Sequence, residues 1–167
     1  KHAGGSRSSR IGLATGARTA VTEAMPESRA EIESFVSPAE FLAVVLDVEK
    51  YPEFLPEVKK VEVHSRTDTA MKATFHVAVA FAGFKVETRY TLDYRIDGTT
   101  VRWTLAESPD MTKNEGEWVL EDADGETKAH YRSEMVTTLP IPLDVQQAFA
   151  EAEMPKLMEK FRDRAED

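Results

Sequence analysis

The sequence predicts one α+β domain in which a curved antiparallel sheet closes on a long C-terminal helix. This prediction rests on two changes in the spacing of apolar residues along the chain. Between residues 58 and 138, apolar and polar residues alternate, which is the pattern of strands with one buried and one wet face. Beyond residue 142 the apolar residues recur at helical spacing. A wide one-sided sheet needs a cover, and this helix is the predicted element long enough to provide it.

Length and composition narrow the class of protein. The 167 residues suit one domain with one core, and no apolar run approaches the roughly 18 residues of a membrane-spanning helix. The chain has no cysteine, which excludes disulfides and thiolate catalysis and fits a reducing, cytoplasmic location. Its net charge of −9 disfavours binding to phosphate backbones, so we expect no nucleic-acid partner.

Residues 1–26 differ in composition from the rest of the chain. They are rich in Gly, Ser, Thr and Ala, lack apolar periodicity and hold four basic residues against one acidic residue. We expect a flexible tail or an added leader, with Met25 as the natural start; an organelle transit segment is the alternative interpretation. Residues 27–167 then form the single domain.

The first elements are a short strand over residues 28–36 and a helix. Three signals place the helix start: Ser37 can cap, Pro38 suits the first helical position, and Glu40 can complete a capping box. Pro52 should end this helix, and Pro56 should close a short second helical segment.

Six strands joined by tight turns are predicted next. One long strand directs inward every second residue: Phe84, Val86, Thr88, Tyr90, Leu92, Tyr94 and Ile96. The strand before it does the same with Ala73, Phe75, Val77, Val79 and Phe81. Hairpin turns are predicted at Ala82-Gly83, Asp97-Gly98 and Asp124-Gly125.

The last element is a helix of five to six turns. Its predicted apolar stripe consists of Val145, Ala148, Phe149, Ala152, Leu157 and Phe161. Pro155 falls inside the stripe and should bend the helix without ending it, because the periodicity resumes beyond it. One helix cannot fill so wide a sheet completely, so we expect a cavity lined by aromatic and aliphatic side chains.

Three segments resemble a known superfamily. The segment D-V-E-K-Y-P-E-F-L-P-E-V at 47–58 resembles the helix-grip proteins, which include the StAR-related lipid-transfer and birch-pollen-allergen-like proteins. Within them it resembles the polyketide cyclase/dehydrase and coenzyme Q-binding branches. Gly116-Glu117-Trp118 resembles their G-x-W strand, and L-P-I-P-L at 139–143 with the helix after it resembles their closing helix.

The resemblance covers about residues 28–165 and implies a fold of strand, two helices, six antiparallel strands and a long C-terminal helix. It also implies a pocket for a lipid, quinone, isoprenoid, sterol or polyketide. The coenzyme Q-binding branch commonly carries Gly-Pro-Phe before the G-x-W strand, where this chain has Ser108-Pro109-Asp110. The general cyclase/dehydrase branch therefore fits better.

The candidate site is a set of inward-facing side chains. We predict that the ligand is bound by Phe75, Val77, Tyr90, Trp103, Tyr131, Ser133 and Phe149. The orientation of Trp118 is left open, because the sequence allows either Gly116, Trp118 and Leu120 or Val119 to face inward. We predict no catalytic residue, metal or cofactor, since His76 and His130 fall on the outward parity without metal-ligand spacing.

Four large apolar residues stand at loop positions, where polar residues are usual: Phe81, Phe84, Leu139 and Ile141. They either cap the ends of the core or form a portal, which would also serve for a transient contact with a membrane or a protein.

Three functions remain open on the sequence. The leading one is noncatalytic binding or carriage of a hydrophobic small molecule, which requires an apolar cavity. A cyclase or dehydratase acting on polyketide-like substrates would need a buried titratable group that faces the cavity. A protein-interaction module acting on a ribosome or a respiratory complex would show a filled pocket and an exposed apolar patch.

Overall fold

The computed structural model describes residues 27–167, so the predicted N-terminal tail lies outside the described residues. Strand β1 (Glu27–Ser34) is followed by helix α1 (Pro38–Leu46) and a short 3₁₀ helix (Val48–Glu53). Six strands come next: β2 (Val58–Arg66), β3 (Ala70–Phe81), β4 (Phe84–Asp97), β5 (Thr100–Glu107), β6 (Met111–Ala123) and β7 (Glu126–Thr137). Helix α2 (Leu143–Glu166) closes the chain. The predicted α+β order of elements is confirmed.

The seven strands form one antiparallel sheet in the order β1-β7-β6-β5-β4-β3-β2. Two of the predicted hairpins turn through positive backbone angles at both central residues. The φ values are 51° and 85° at Ala82 and Gly83, and 57° and 90° at Asp124 and Gly125. These tight turns fix the register of the strands they join, so alternate side chains of each strand reach the same face.

Helix α1 begins as predicted. The Ser37 hydroxyl accepts a hydrogen bond from the Glu40 backbone N–H at 3.2 Å, and the Glu40 carboxylate accepts one from the Ser37 N–H at 2.9 Å. This capping box satisfies two backbone donors that the helix itself cannot pair. Phe41 and Val45 follow on its buried face and are fully enclosed.

Helix α2 has two halves with different surroundings. In the C-terminal half, Met158 and Phe161 are buried, and the Phe161 ring lies 5.3, 5.2 and 5.0 Å from the rings of Tyr51, Phe54 and Trp118. This aromatic cluster ties the helix to the 3₁₀ helix and the sheet. In the N-terminal half, Phe149 is only half-buried. The C-terminal half therefore anchors the helix, while the N-terminal half spans open space above the sheet.

The predicted stripe of α2 is partly wrong. Ala148 and Ala152 are exposed, and Met158, which the stripe omitted, is buried. The helix packs against α1 and β1 as well as lying over the sheet, so its buried face turns along its length. Because the alanine side chain is small, the two alanines did not reveal which edge of the apolar stripe faces solvent. The helix does continue through Pro155, as predicted.

None of the helices within residues 27–167 is long and apolar enough to cross a membrane.

Candidate ligand cavity

A cavity of about 400 Å³ lies between the inner face of the sheet and helix α2. Side chains from all seven strands and from α2 line it, and most of them are aromatic or aliphatic. Pockets that enclose drug-sized ligands span roughly 300–1,000 Å³. The aromatic cluster around Phe161 supports the C-terminal end of α2, and the cavity extends from that cluster along the helix to Val145.

The seven residues predicted to bind the ligand all line this cavity: Phe75, Val77, Tyr90, Trp103, Tyr131, Ser133 and Phe149. Strand register explains the positions of the six that lie on strands, and Phe149 is supplied by α2. Phe75 and Tyr90 are direct cross-strand partners, and their rings stack with centroids 5.6 Å apart. Trp103 of β5 and Tyr131 of β7 pack at 5.8 Å across the strand between them, β6. The alternation in the sequence was therefore sufficient to place these side chains on one wall.

The four apolar residues that were predicted at loop positions also line the cavity, and each is half-buried: Phe81, Phe84, Leu139 and Ile141. Phe81 ends β3 and Phe84 begins β4, so these two lie at strand ends. The Phe81 ring meets the Phe149 ring of α2 edge to face at 5.2 Å. We call Phe81, Phe84, Leu139 and Ile141 the entrance residues, because they lie at the β3–β4 hairpin and between β7 and α2.

The buried phenols of the wall are neutral hydrogen-bonding groups. Burial raises the pKa of Tyr90 and of Tyr94 well above the ordinary value for a phenol. Burial also raises the pKa of Tyr131, with a hydrogen bond to Ser133 acting in the opposite direction. Each hydroxyl therefore keeps its proton near neutral pH and can donate or accept a hydrogen bond.

Charged side chains occur at three positions of the lining among residues 27–167, namely Glu57, Glu153 and Lys160, and each is half-buried. Glu57 and Glu153 also border a smaller pocket of about 210 Å³ beside the main one. Glu153 is paired with Lys156 at 3.5 Å. Charge therefore lies at the margin of the cavity, and its walls are aromatic and aliphatic.

The histidines of the strands lie outside the cavity. His76 pairs with Glu62 at 2.9 Å, and His130 lies 3.0 Å from both Glu31 and Glu121. These pairs are on the outer face of the sheet, opposite the cavity wall, as the parity predicted. Residues 27–167 contain no cluster of His, Asp and Glu side chains able to hold a metal ion.

Trp118 and Asn114 are two of the lining residues that lie outside the predicted binding set. Trp118 is 3% exposed and faces inward with Gly116 and Leu120, which settles the register that the sequence left open. Asn114 lies on the same parity, is 4% exposed, and its side-chain oxygen accepts a hydrogen bond from the Trp103 indole N–H at 3.2 Å. Asn114 could have been found from its spacing to Gly116, once Gly116 is known to face inward.

A one-sided antiparallel sheet that grips a long helix around an apolar cavity defines the helix-grip class of proteins. Residues 36–162 match the family described as polyketide cyclase/dehydrase and lipid transport. The chain belongs to this family. No curated protein sequence matches it.

Solved structures agree on the fold. A Thermus thermophilus protein has a TM-score of 0.70 at 22% identity, with 84% of this chain and 97% of that one covered. The Zhui aromatase/cyclase of a Streptomyces species has a TM-score of 0.69 at 19% identity, with 85% and 94% covered. A STAR-related lipid transfer protein of Xanthomonas axonopodis has a TM-score of 0.66 at 16% identity, with 84% and 86% covered.

Proposed function

We propose that this protein binds and carries a hydrophobic small molecule without changing it chemically. The observation that carries the proposal is the cavity of about 400 Å³ with its aromatic and aliphatic lining. Side chains that line an unfilled apolar cavity lack packing partners on one side, which lowers the stability of the fold. A bound apolar molecule would supply those partners.

The entrance residues extend the proposal to ligand exchange. They border the cavity at the β3–β4 hairpin and before the start of α2 and are only half-buried, so a ligand could pass between these two segments. Their apolar character would favour the passage of a lipid, quinone, isoprenoid or polyketide-like molecule. The same residues would serve for a transient contact with the membrane or protein that delivers it.

A cyclase or dehydratase is the second candidate, because the Zhui aromatase/cyclase shares the fold. General acid–base catalysis works best when the pKa of the catalytic group lies near the operating pH. The pKa values of the wall phenols are shifted away from neutrality, and the carboxylates of the lining, Glu57 and Glu153, are half-exposed at its margin. These observations support carriage over catalysis.

Mass spectrometry under native conditions tests the proposal and its rival together. Purified protein is incubated with a total extract of cellular lipids and secondary metabolites, desalted and sprayed intact. We expect an adduct of one apolar molecule per chain, and the molecule released by solvent should have the same mass as before binding. A released product lighter by one water would favour a dehydratase, and a spectrum of bare polypeptide alone would contradict binding.

A further inference from the structure

Asn114 is a buried amide in an otherwise apolar wall. It lies on β6 between Met111 and Gly116, faces the cavity, and is 4% exposed. The register between β5 and β6 runs from Thr100–Val119 to Trp103–Gly116, so Asn114 lies just past the paired stretch. Its side chain meets Trp103 across the gap between the two strands.

The hydrogen bond to Trp103 determines the orientation of the side-chain amide of Asn114. An indole N–H can only donate, so the atom 3.2 Å from it must be the amide oxygen of Asn114. The amide nitrogen is then directed away from Trp103. Its one partner among residues 27–167 is the sulfur of Met111 at 3.8 Å, which is a weak acceptor. At least one N–H of Asn114 therefore lacks an oxygen or nitrogen acceptor from the protein.

Gly116 makes this arrangement sterically feasible. A Cβ atom built at Gly116 would lie 2.5 Å from Cζ2 of Trp103 and 2.2 Å from the backbone oxygen of Arg132. The missing side chain lets the indole lie across β6, where its N–H reaches Asn114. Gly116 and Trp103 are thus positioning residues for the Asn114 amide.

A buried donor without an acceptor is unfavourable by about 1–3 kcal/mol, so native structures seldom retain one. An acceptor on a bound ligand would satisfy it. A neutral carbonyl oxygen suits an amide donor, because a carboxylate would lose far more hydration on entering an apolar wall. Sites built around such a donor discriminate strongly against ligands that lack the matching acceptor.

We propose that Asn114 orients the ligand by donating its side-chain N–H to a carbonyl oxygen of an otherwise apolar, ring-containing molecule. This inference rests on the proposed function, since it requires that the cavity binds a ligand. The aromatic side chains of Trp103, Trp118 and Tyr131 enclose the apolar part of the ligand, and Asn114 sets which end carries the carbonyl.

Two probes of nearly equal shape test the inference: 2-acetylnaphthalene and 2-isopropenylnaphthalene, which differ by C=O against C=CH₂. Binding is followed by quenching of the two tryptophans of the chain, both of which line the cavity. We expect the wild-type protein to bind the ketone about tenfold more tightly, in keeping with one added hydrogen bond. Asn114→Leu should abolish that preference and still bind the alkene.

The control variant is Thr127→Val, which removes a buried hydroxyl that donates to the Val36 carbonyl at 2.8 Å and lies outside the cavity lining. It should keep the tenfold preference. Equal binding of both probes by the wild-type protein would overturn the role of Asn114 and leave the carrier proposal standing. Binding of neither probe would overturn both. A preference retained in Asn114→Leu would assign the donor to another residue.

A measurement on the wild-type protein covers the case in which Asn114→Leu does not fold. The side-chain ¹⁵N–¹H resonances of Asn114 should move downfield with the ketone and stay in place with the alkene. Equal shifts with both probes would contradict a hydrogen bond to the ligand.

Discussion

Gly116 shows how one residue without a side chain shapes the cavity wall. It lies opposite Trp103 on one neighbouring strand and Ser133 on the other. The backbone oxygen of Arg132 and the Trp103 indole occupy the space that any Cβ at this position would take. Its role is close packing of strands around an aromatic ring, since its φ is not in the left-handed region.

Gly116→Ala should therefore lower the free energy of unfolding by about 2–3 kcal/mol, because overpacking a closely packed site forces neighbours to move. Equilibrium unfolding in urea measures the change. Thr104→Ala, on the exposed face of β5, is the control and should stay within about 0.5 kcal/mol of the wild-type protein. A Gly116→Ala variant as stable as the control would mean that Trp103 does not lie against β6.

At the level of single residues, the sequence predicts which face of the sheet a side chain occupies better than it predicts what that side chain contacts. Alternation placed Phe75, Tyr90 and Tyr131 on the cavity wall, because a strand offers only two faces. Asn114 was not predicted, since a polar residue in an alternating strand is assigned to the wet face by default. Its inward parity follows from its spacing to Gly116 and Trp118, but the hydrogen bond to Trp103 comes from a different strand and leaves no local signal.

Among the elements, α2 combines two tasks in one continuous helix. Its C-terminal half buries Met158 and Phe161 in the core, and its N-terminal half presents Phe149 and Val145 to the cavity. Leu157, Lys160 and Phe161 of the C-terminal half border the cavity as well, so the lining extends along the helix. We infer that the C-terminal half contributes more to stability, because Met158 and Phe161 are buried whereas Phe149 is only half-buried.

The same substitution, Phe to Ala, made in each half of α2 compares how much the two halves contribute to stability. Phe161→Ala should destabilise the protein by about 3–5 kcal/mol, because the ring is 3% exposed and packs against three other rings. Phe149→Ala should cost less, about 1–2 kcal/mol, since that ring is not fully buried. Thermal and urea unfolding give both values. Equal losses would contradict the division of α2.

Element boundaries were predictable where a local interaction sets them. The capping box of Ser37 and Glu40 and the Gly-containing turns are encoded in two to four neighbouring residues, and the structure has them where the sequence predicts. The turned face of α2 was not predictable, because it depends on how the helix sits on α1 and β1. The exposed Ala148 and Ala152 show this limit.

At the scale of the whole molecule, the order of elements and the width of the sheet determine that a cavity exists. Seven strands curve around a helix whose firm aromatic support is at its C-terminal end, so space remains at the other end. The fold and the family follow from this and from the match over residues 36–162. The chemical identity of the ligand does not follow, because an apolar wall with few polar groups accepts many molecules of similar size.

The most direct test is a titration of the purified protein with N-phenyl-1-naphthylamine, a neutral dye that fluoresces strongly in apolar surroundings. Val77 lines the cavity, whereas Thr104 lies exposed on the outer face of the sheet. We expect micromolar binding by the wild-type protein and by Thr104→Trp, and at least tenfold weaker binding by Val77→Trp, because the indole fills the cavity. No binding by the wild-type protein, or equal binding by all three, would contradict a ligand cavity between sheet and helix.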